Sequence, residues 1–550
     1  MDQETKDNLY KAHSLTNNTP EEYFVAYENI LQLLIKRAKV NYDKEYLCYY
    51  SESGEVTRFP YDKFVKKCFK LANYMLANGI KKESRVGTFL HNHFDTVILY
   101  FACWSIGAVV VPVNVSEEED RVKYIFGHSD TRMVFTLGMY EEKLKSAVKD
   151  LPGEIINFET LDYEEQKDKV ILKYKVDRET EAMIVYTSGT TGNPKGVVLT
   201  QYNLMVDADG IAIWHNIKPG DVMMCVLPIH HVNGTVVTIM TSMYTGSKLV
   251  LNQKFQTDKF LQRLQDEKVK IVSVVPTLLQ FMIHSNESVH NYDLESFSHI
   301  ICGAGPLTCE VAKNFEKKFD LKIVHGYGLS ETTCYSCFIP IDLNYYDHFQ
   351  WQNDYGYPSI GIPIYWNEME IHNEHGEAQD EEVRGEIVIR GHNVMKYYFD
   401  NDEVNKKTFE HGWFRSGDEG FYKLDRKKNK YFFITGRLKE LIIRGGVNIS
   451  TLEVDEVISS CEYAQAGICV GFENDWYGEE VGALIMLNEG VKPTDELKTK
   501  ILEYFRSKLP AYKAPKVIIF SDSIPVTSTG KYQRNKVKHL FKEFKEIQYK

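Results

Sequence analysis

The chain has 550 residues, too many for one hydrophobic core, and a usual domain length of about 150 residues predicts three or four subdomains. Its 43% hydrophobic and 13% aromatic content is enough for sizeable cores, and the mild formal net charge of −12 argues against a nucleic-acid partner. Ten cysteines without a repeating spacing favour a reducing compartment, the cytoplasm, and argue against a disulfide framework.

The most membrane-like run is 96–111, which holds about sixteen mostly apolar residues. A spanning helix needs roughly 20 such residues, and here Gly107 divides the run and Pro112 follows it. A buried helix that turns into a buried strand is therefore predicted. Because the amino terminus also has no basic segment followed by an apolar core, neither a secretory signal nor an integral membrane segment is expected.

Helix and strand patterns alternate from residue 46 onward. After an amphipathic helix at 23–39, the apolar spacing predicts the following order: helix 63–78, strand 85–90, helix 94–106 and strand 108–113. Alternation at this spacing is typical of βαβ units and of a mostly parallel sheet.

Residues 186–196 form a short polar loop between two apolar, strand-like runs. They contain three glycines, four aliphatic hydroxyl groups and Lys195. Glycines let the backbone come close to a ligand, N–H and hydroxyl groups donate hydrogen bonds, and the lysine adds a charge, which together suit a polyphosphate. The loop is not a Walker A motif, because Lys195 lies between Pro194 and Gly196 and does not lead a helix. A plain hairpin turn is the alternative.

Three later predicted strands end in glycine, histidine or hydroxyl residues, near Pro228, Cys302 and Val324. In open parallel sheets, ligands bind beyond the carboxyl ends of strands, so this repetition indicates a site. His230 and His231 follow the first of these strands. No cysteine or carboxylate lies at metal-ligand spacing from them, and histidines satisfied at a strand end are the alternative to a functional role.

The third of these strands opens into a glycine-rich turn. Tyr327 offers a flat face for a purine, and Gly326 and Gly328 let the backbone approach a ligand. Glu331 supplies an oxygen ligand for Mg²⁺, with Thr332 beside it. The turn is therefore predicted to bind a nucleotide and its metal ion.

The last third of the chain predicts two further units. A β-rich segment begins near residue 385, and within it Asp418 follows a tight turn that this side chain could simply cap. We place a domain boundary after residue 436, with a large unit at 1–436 and a small α+β unit at 437–550. The predicted fold class is α/β: a large amino-terminal lobe of parallel-sheet α/β subdomains plus a small β-barrel, followed by the small α+β lobe.

Five motifs, in this order along the chain, resemble those of the adenylate-forming superfamily: 186–196, 327–332, 412–418, 436–449 and 525–534. The resemblance spans roughly residues 50–540 and favours the acyl-CoA synthetase and fatty-acid–CoA ligase branch. It implies that ATP and Mg²⁺ activate a carboxylic acid as an acyl-adenylate, and that coenzyme A then takes the acyl group as a thioester.

The resemblance also assigns roles to individual residues. Lys531 is the catalytic lysine, Glu331 holds Mg²⁺, and His231 lies at the mouth of the carboxylate pocket, which the following helix lines. Asp418 accepts hydrogen bonds from both ribose hydroxyls. The other residues implied in nucleotide binding are Thr187, Ser188, Gly189, Thr190, Thr191, Gly192, Lys195, Gly303, Ala304, Gly305, His325, Gly326, Tyr327, Gly328, Leu329, Ser330, Thr332 and Arg437.

For the second step, the resemblance implies that the small lobe is mobile. It rotates about a hinge at Lys439, withdraws Lys531 and brings Gly445, Gly446 and Asn448 alongside a pantetheine channel. Glycines suit a narrow thiol channel because a side chain would obstruct it. A plain β-turn is the alternative for the glycine pair.

Several alternatives stay open. The thiol acceptor is free coenzyme A or the phosphopantetheine of a carrier protein, as in an acyl- or aryl-AMP ligase. An amino-acid-activating domain is disfavoured, because 229–237 lacks an aspartate to hold an ammonium group. A luciferase-like oxygenase shares the fold. A pseudoenzyme would be expected to have lost Lys531, Glu331 or Asp418, and all three are present.

The acid is the least defined partner. The helix predicted at 232–244 carries Val, Ile, Met and Thr without a cluster of charges, which favours an apolar acyl or aryl chain of open length. The last twenty residues carry seven Lys or Arg against two Glu. Weak peripheral contact with a membrane is one interpretation of this tail, and a solvated helix face is the favoured one. The oligomeric state stays open.

Overall fold

A computed structural model describes residues 1–187, 193–527 and 532–549. The elements up to the first histidine pair are α1 (Gln3–Ala12), α2 (Ile30–Val40), β1 (Glu45–Tyr50), β2 (Val56–Pro60), α3 (Tyr61–Ala77), β3 (Arg85–Phe89), α4 (Phe94–Ser105), β4 (Val109–Val113), α5 (Glu119–His128), β5 (Thr131–Thr136), α6 (Gly138–Val148), β6 (Glu154–Asn157), β7 (Glu181–Thr187), β8 (Lys195–Thr200), α7 (Gln201–Trp214) and β9 (Val222–Cys225).

A π-helical stretch, Asn233–Met240, follows and continues as α8 (Thr241–Thr245). The next elements are β10 (Lys248–Asn252), α9 (Thr257–Asp266), β11 (Ile271–Val274), α10 (Pro276–His284), β12 (His299–Cys302), α11 (Cys309–Phe319), β13 (Ile323–Tyr327), β14 (Cys337–Phe338), α12 (Tyr345–Asn353), β15 (Ser359–Pro363), β16 (Asn367–His372), β17 (Gly385–Gly391), β18 (Tyr397–Tyr398), α13 (Asp402–Thr408), β19 (Phe414–Leu424) and β20 (Lys430–Arg437).

The carboxy-terminal elements are β21 (Ile442–Arg444), β22 (Val447–Ile449), α14 (Thr451–Ser459), β23 (Ala464–Asn474), β24 (Gly478–Leu487), α15 (Asp495–Lys508) and β25 (Val517–Phe520). Short 3₁₀ turns occur at Val289–Asn291, Ser330–Thr332, Glu410–Gly412, Leu438–Glu440, Arg534–Lys536 and Lys538–Phe544.

The first sheet contains seven strands in the order β18-β8-β7-β4-β3-β5-β6. Its strands from β7 through β4, β3 and β5 to β6 run parallel, and β8 returns antiparallel to β7. Helices α4, α5 and α6 connect the successive strands from β3 to β6, as the alternating pattern predicts. The two ends of the phosphate-loop motif, Thr187 and Lys195, therefore lie in the β7–β8 hairpin at one side of this sheet.

The apolar run at 96–111 forms the predicted buried helix and strand. Residues 96–105 of α4 are buried throughout, and so is all of β4. Trp104 donates its indole N–H to the carbonyl of Ala182 in β7 at 2.9 Å, which ties the helix to the sheet. Continuous apolar sequence is what a strand covered on both faces requires. Among the described residues, no helix is long and apolar enough to span a membrane.

The second sheet contains thirteen strands in the order β16-β17-β19-β20-β15-β14-β13-β12-β11-β9-β10-β1-β2. The strands β13, β12, β11, β9, β10 and β1 are parallel, and the strands on both sides of them are antiparallel. This α/β architecture confirms the predicted fold class.

One part of the fold prediction is wrong, because the described residues contain no closed barrel. The β-rich segment after residue 385 forms an antiparallel extension of the second sheet. The two-residue strand β14 pairs with β13 on one side and β15 on the other, and β15 pairs with β20. These pairings join the segment to the parallel strands, so the path ends at β16 and does not close on itself.

The carboxy-terminal elements build a third sheet, in the order β22-β21-β24-β23 with β25 parallel to β24. It has its own hydrophobic core, which includes Ile458 of α14, Ile501 and Phe505 of α15 and Ile518 of β25. The third sheet begins just after β20 ends at Arg437. The division into 1–436 and 437–550 stays a prediction.

Candidate active site

The hairpin β7–β8 presents the two ends of the predicted phosphate loop. Thr187 lies opposite Lys195 in the antiparallel register. The loop residues between them, Ser188, Gly189, Thr190, Thr191 and Gly192, lie outside the described residues, as does Lys531. The Lys195 ammonium is 5.2 Å from the centre of the Tyr398 ring. Burial lowers the pKa of Lys195, and the positive charge of Lys439 lowers it further.

Tyr327, Asp418 and Arg437 form one group, which is joined by a hydrogen bond and an ion pair. The Tyr327 hydroxyl donates to Asp418 Oδ2 at 2.6 Å, and Arg437 Nε lies 2.9 Å from Asp418 Oδ1. The β19–β20 register places Asp418 opposite Arg437. Burial, and then the Asp418 charge, hold the pKa of Tyr327 well above its usual range. A role for Tyr327 as a carboxylate partner was missed by sequence reasoning, which expected only a flat face for a purine.

The alternative reading of Asp418 as a turn cap does not fit this geometry. The Asp418 backbone N–H donates to Ser416 Oγ at 3.0 Å, so the serine closes the turn. The Asp418 carboxylate, which is 3% exposed, instead contacts Tyr327 and Arg437. Each carboxylate oxygen accepts two hydrogen bonds at best, so each keeps capacity for a further donor.

Glu331 is 8% exposed and accepts a hydrogen bond from the Tyr398 hydroxyl at Oε1, 2.7 Å away. Its negative charge acts on both Lys195 and Arg437. Thr332 does not join this carboxylate: its hydroxyl accepts from Leu329 N at 3.0 Å and so closes the 3₁₀ turn. A single carboxylate that completes its shell with phosphate oxygens and water is a usual Mg²⁺ site, so Glu331 fits the predicted metal role.

The glycines of the nucleotide turn are required by the packing of the protein itself. A Cβ on Gly326 would lie 2.2 Å from the Phe338 ring, and one on Gly328 would lie 1.8 Å from the Cys334 carbonyl oxygen. A Cβ on Gly303 would lie 2.4 Å from the Tyr335 hydroxyl. These glycines therefore let neighbouring chain segments pack closely, whether or not a ligand is bound.

His325 and the segment around Ala304 also have structural roles. The His325 ring nitrogen Nδ1 lies 2.9 Å from the Ser359 carbonyl oxygen, and burial lowers the pKa of His325 to about 4. Ala304 has a left-handed backbone with φ of 59°, and Gly305 would place a Cβ 3.3 Å from the Pro276 ring. Ser330 is buried in the 3₁₀ turn with Glu331.

The helix after His231 is less apolar at its start than the sequence prediction implies. Asn233 donates to the Tyr335 hydroxyl at 3.1 Å and accepts from Ser273 Oγ at 2.7 Å. Further along, the Thr238 hydroxyl donates to a carbonyl of its own helix and so presents no unsatisfied polar group. His231 itself is half-buried at the junction between strand β9 and this helix.

The residues predicted to meet coenzyme A lie in an exposed turn of the third sheet. Gly445 and Gly446 join β21 to β22 with φ of 56° and 84°, and Asn448 is also exposed. An added Cβ on Gly446 would meet nothing within 4 Å. In contrast, Lys439 is close enough to Lys195 for its charge to lower the Lys195 pKa. The described structure thus brings together Lys195, Tyr327, Glu331, Asp418, Arg437 and Lys439, but not the glycine turn.

Family models match most of the chain. One described as AMP-binding enzyme matches residues 34–399, and one described as AMP-binding enzyme C-terminal domain matches residues 453–531. A long-chain-fatty-acid–CoA ligase of Bacillus subtilis (strain 168) is 28% identical, over 95% of this chain and 96% of its own. A sulfoacetate–CoA ligase of Cupriavidus necator is 28% identical over 93% of this chain and 97% of its own. An oxalate–CoA ligase of Arabidopsis thaliana is 29% identical over 84% of this chain and 90% of its own.

Solved structures share the fold. The ATP-bound MatB of Rhodopseudomonas palustris superposes with a TM-score of 0.82 at 22% identity, covering 94% of this chain and 100% of that one. The o-succinylbenzoate CoA synthetase of Bacillus subtilis, in complex with its acyl-adenylate intermediate, gives a TM-score of 0.80 at 25% identity, covering 93% and 98%. The chain therefore belongs to the AMP-binding enzyme family and is an acid–thiol ligase of its acyl-CoA synthetase branch, which uses ATP, Mg²⁺ and coenzyme A.

Proposed function

We propose that the protein converts a carboxylic acid and ATP to an acyl-adenylate and pyrophosphate, and then transfers the acyl group to coenzyme A. The observation that carries the proposal is the Tyr327–Asp418–Arg437 group, because it holds a carboxylate ready to accept from a vicinal diol such as ribose. Glu331 and Lys195 add a metal ligand and a phosphate-binding charge near the same group.

In the first step, an oxygen of the acid forms a bond to the α-phosphorus of ATP while the bond to pyrophosphate breaks. Both reactants are anionic, so the protein contributes chiefly by positioning them and by neutralising charge. Lys195 would face the departing phosphates, and Lys531 would lie between the carboxylate and the α-phosphate. Mg²⁺, when bound by Glu331, supplies further positive charge to the phosphate oxygens. No nucleophile from the protein is required.

In the second step, the thiol sulfur bonds to the acyl carbon, AMP leaves, and the thiol proton passes to solvent. We propose that the small lobe rotates about Lys439 and brings Gly445, Gly446 and Asn448 to the pantetheine arm. The exposure of this turn supports the idea, because a surface that is free in one arrangement is available for contact in another.

The substrate belongs to the proposal as well. A fatty or other apolar acid is our first candidate, because Val236, Val237 and Ile239 are buried in the helix that follows His231. This helix carries no charged side chain. The relatives named above act on a long-chain fatty acid, sulfoacetate and oxalate, so the family alone does not select among acids. We place the protein in the cytoplasm, a proposal supported by ten cysteines that lack the repeating spacing of a disulfide framework.

Pyrophosphate release with short, medium, long, dicarboxylic and aromatic acids tests the first step, and a thioester assay with free coenzyme A or a phosphopantetheinylated carrier protein tests the second. We expect release that depends on the acid and a thioester with free coenzyme A. Thioester formation with the carrier protein but not with free coenzyme A would favour an acyl-AMP ligase. Failure of every acid would contradict the proposal.

The Lys531→Ala variant tests the two-step assignment. We expect adenylate formation to be abolished, because the charge between carboxylate and α-phosphate is removed, while thioester formation from supplied acyl-AMP is largely kept. Equal loss in both assays would contradict the assignment of Lys531 to the first step alone. Lys538→Ala, an exposed lysine of the same tail, serves as the control.

A further inference from the structure

Tyr398 is fixed in the structure by its backbone. It belongs to the two-residue strand β18, which pairs antiparallel with β8 so that Tyr398 lies opposite Val197. The buried Asn405 holds it from the other side, accepting from Tyr398 N at 2.7 Å and donating to Tyr398 O at 2.9 Å. Phe399 N also donates to Gly196 O at 2.7 Å. The Tyr398 ring is therefore attached to the returning strand of the phosphate-loop hairpin.

The side chain of Tyr398 reaches both charged groups that the proposed function needs. Its hydroxyl donates to Glu331 Oε1 at 2.7 Å, and the Lys195 ammonium lies over its ring, 5.2 Å from the centre. Tyr398 is 6% exposed, so water competes little with either contact. The Glu331 carbonyl also accepts from Met395 N at 2.7 Å, three residues before Tyr398, so the same segment holds the backbone of Glu331.

We propose that Tyr398 is a positioning residue, which orients the Glu331 carboxylate as a metal ligand and holds Lys195 toward the phosphates of the nucleotide. The proposal rests on the proposed function, in which Glu331 and Lys195 have these roles.

The physical case concerns orientation. A carboxylate that binds a cation through one or two oxygens keeps a rotatable side chain, and a hydrogen bond from a fixed neighbour removes that freedom. A phenol has an ordinary pKa of about 10, so at neutral pH the hydroxyl carries its proton and donates. A cation over a ring face is attracted by the electrons of the ring, which restrains a lysine without neutralising it.

The neighbouring residue provides a matched control. The Tyr397 hydroxyl also donates to a carboxylate, that of Glu181, at 2.6 Å. Glu181 lies at the start of β7, at the opposite end of the hairpin from the phosphate loop. Tyr397→Phe therefore removes a tyrosine–carboxylate hydrogen bond from the same strand without touching the proposed site.

The test uses the full-length protein and Mn²⁺ as a spectroscopic probe of the metal site. Electron paramagnetic resonance follows Mn²⁺ binding in the presence of a non-hydrolysable ATP analogue. We expect Tyr398→Phe to weaken Mn²⁺ binding roughly 10-fold, the lower end of the effect of removing such a hydrogen bond, and Tyr397→Phe to leave it unchanged. The Mg²⁺ concentration for half-maximal pyrophosphate release should rise in parallel, while the KM of the acid stays constant.

A double-mutant cycle keeps the test decisive if Tyr398→Phe also perturbs the fold. Combined with Glu331→Gln, the Tyr398→Phe change should have no further effect on Mn²⁺ binding, because the group that it orients is gone. Mn²⁺ binding by Tyr398→Phe within twofold of the wild type, or additive effects in the cycle, would overturn the proposal. Wild-type protein that binds Mn²⁺ with the analogue yet releases no pyrophosphate with any acid would contradict the proposed function instead.

Discussion

At the scale of single residues, the clearest feature is that the Asp418 carboxylate already has two side-chain partners within the protein. Tyr327 and Arg437 each contact one of its carboxylate oxygens. The two contacts fix the plane of the carboxylate, and one lone pair on each oxygen remains for the two hydroxyls of a ribose. Pre-orientation of this kind reduces the entropy that is lost when the ribose binds.

The first prediction concerns the charge of this carboxylate. We expect Asp418→Asn to weaken ATP binding roughly 10- to 100-fold, because hydrogen bonds to a charged group contribute about 1.5–3 kcal/mol and an amide accepts at only one of its two positions. Isothermal titration calorimetry with ATP measures the change.

The control for this prediction is Asp425→Asn, in the turn at the other end of the same β19–β20 hairpin, where Asp425 accepts from Asn429. ATP affinity should be unchanged in this variant. Equal weakening in both variants would show that the hairpin fold, and not the carboxylate at 418, determines the affinity.

At the scale of elements, the turn after β13 combines tight packing with site residues. β13 ends at Tyr327, and the chain then passes through Gly328 to the 3₁₀ turn that carries Glu331. The Gly328 α-carbon faces the Cys334 carbonyl so closely that no side chain fits. The positions of Tyr327 and Glu331 therefore depend on glycine between them.

The second prediction follows from this contact. Gly328→Ala should destabilise the protein by about 3 kcal/mol, the upper part of the usual range for overpacking, because the obstructing atom belongs to the backbone. Thermal and urea unfolding measure the loss. Gly127→Ala in α5 should change the unfolding free energy by less than about 1 kcal/mol, since the nearest atom, 3.2 Å away, belongs to the flexible Leu151 side chain. Similar losses in both variants would contradict the packing explanation.

At the scale of the whole molecule, the third sheet and its helices contact the large unit through α14. The Glu456 carboxylate accepts from Cys309 N at 2.9 Å and from Glu310 N at 3.2 Å, at the beginning of α11. The pKa of Glu456 is raised to about 7, and burial is the main cause. The two N–H donors partly oppose this rise, while the charges of Glu310 and Asp455 add to it. In the proposed rotation of the small lobe, this contact would couple docking to the binding of a proton.

The third prediction is the direction of that coupling. Because the docked pKa lies above the ordinary value for glutamate, the docked form binds the proton more tightly, so docking is strongest at low pH and weakens as the pH rises through about 7. Small-angle scattering and limited proteolysis between pH 6 and 8.5 should show a growing population of undocked lobes. Glu456→Gln, which has no proton to lose, should remove this pH dependence. An unchanged pH dependence in that variant would assign it to another group.

Parts of the candidate site could be expected from the sequence, because each part is a short motif of neighbouring residues. The segment around Tyr327 and Glu331 and the turn before Asp418 were recognised from short motifs. Tyr398 was missed, because a tyrosine in an aromatic-rich segment carries no signal until its hydroxyl is seen against Glu331. The contact of Tyr327 with Asp418 was missed for the same reason: 91 residues separate the partners.

The sequence by itself determined the alternation of helices and strands, the buried helix α4 and strand β4, and the family to which the chain belongs. These properties depend on local periodicity and on motifs in which neighbouring residues act together. Only the tertiary structure decided that the segment after residue 385 extends the second sheet and forms no closed barrel, since strand partners are chosen by hydrogen bonds between distant segments. It also decided which side chains orient Asp418 and Glu331 and where the small lobe docks, because each of these contacts joins parts of the chain that no local pattern connects.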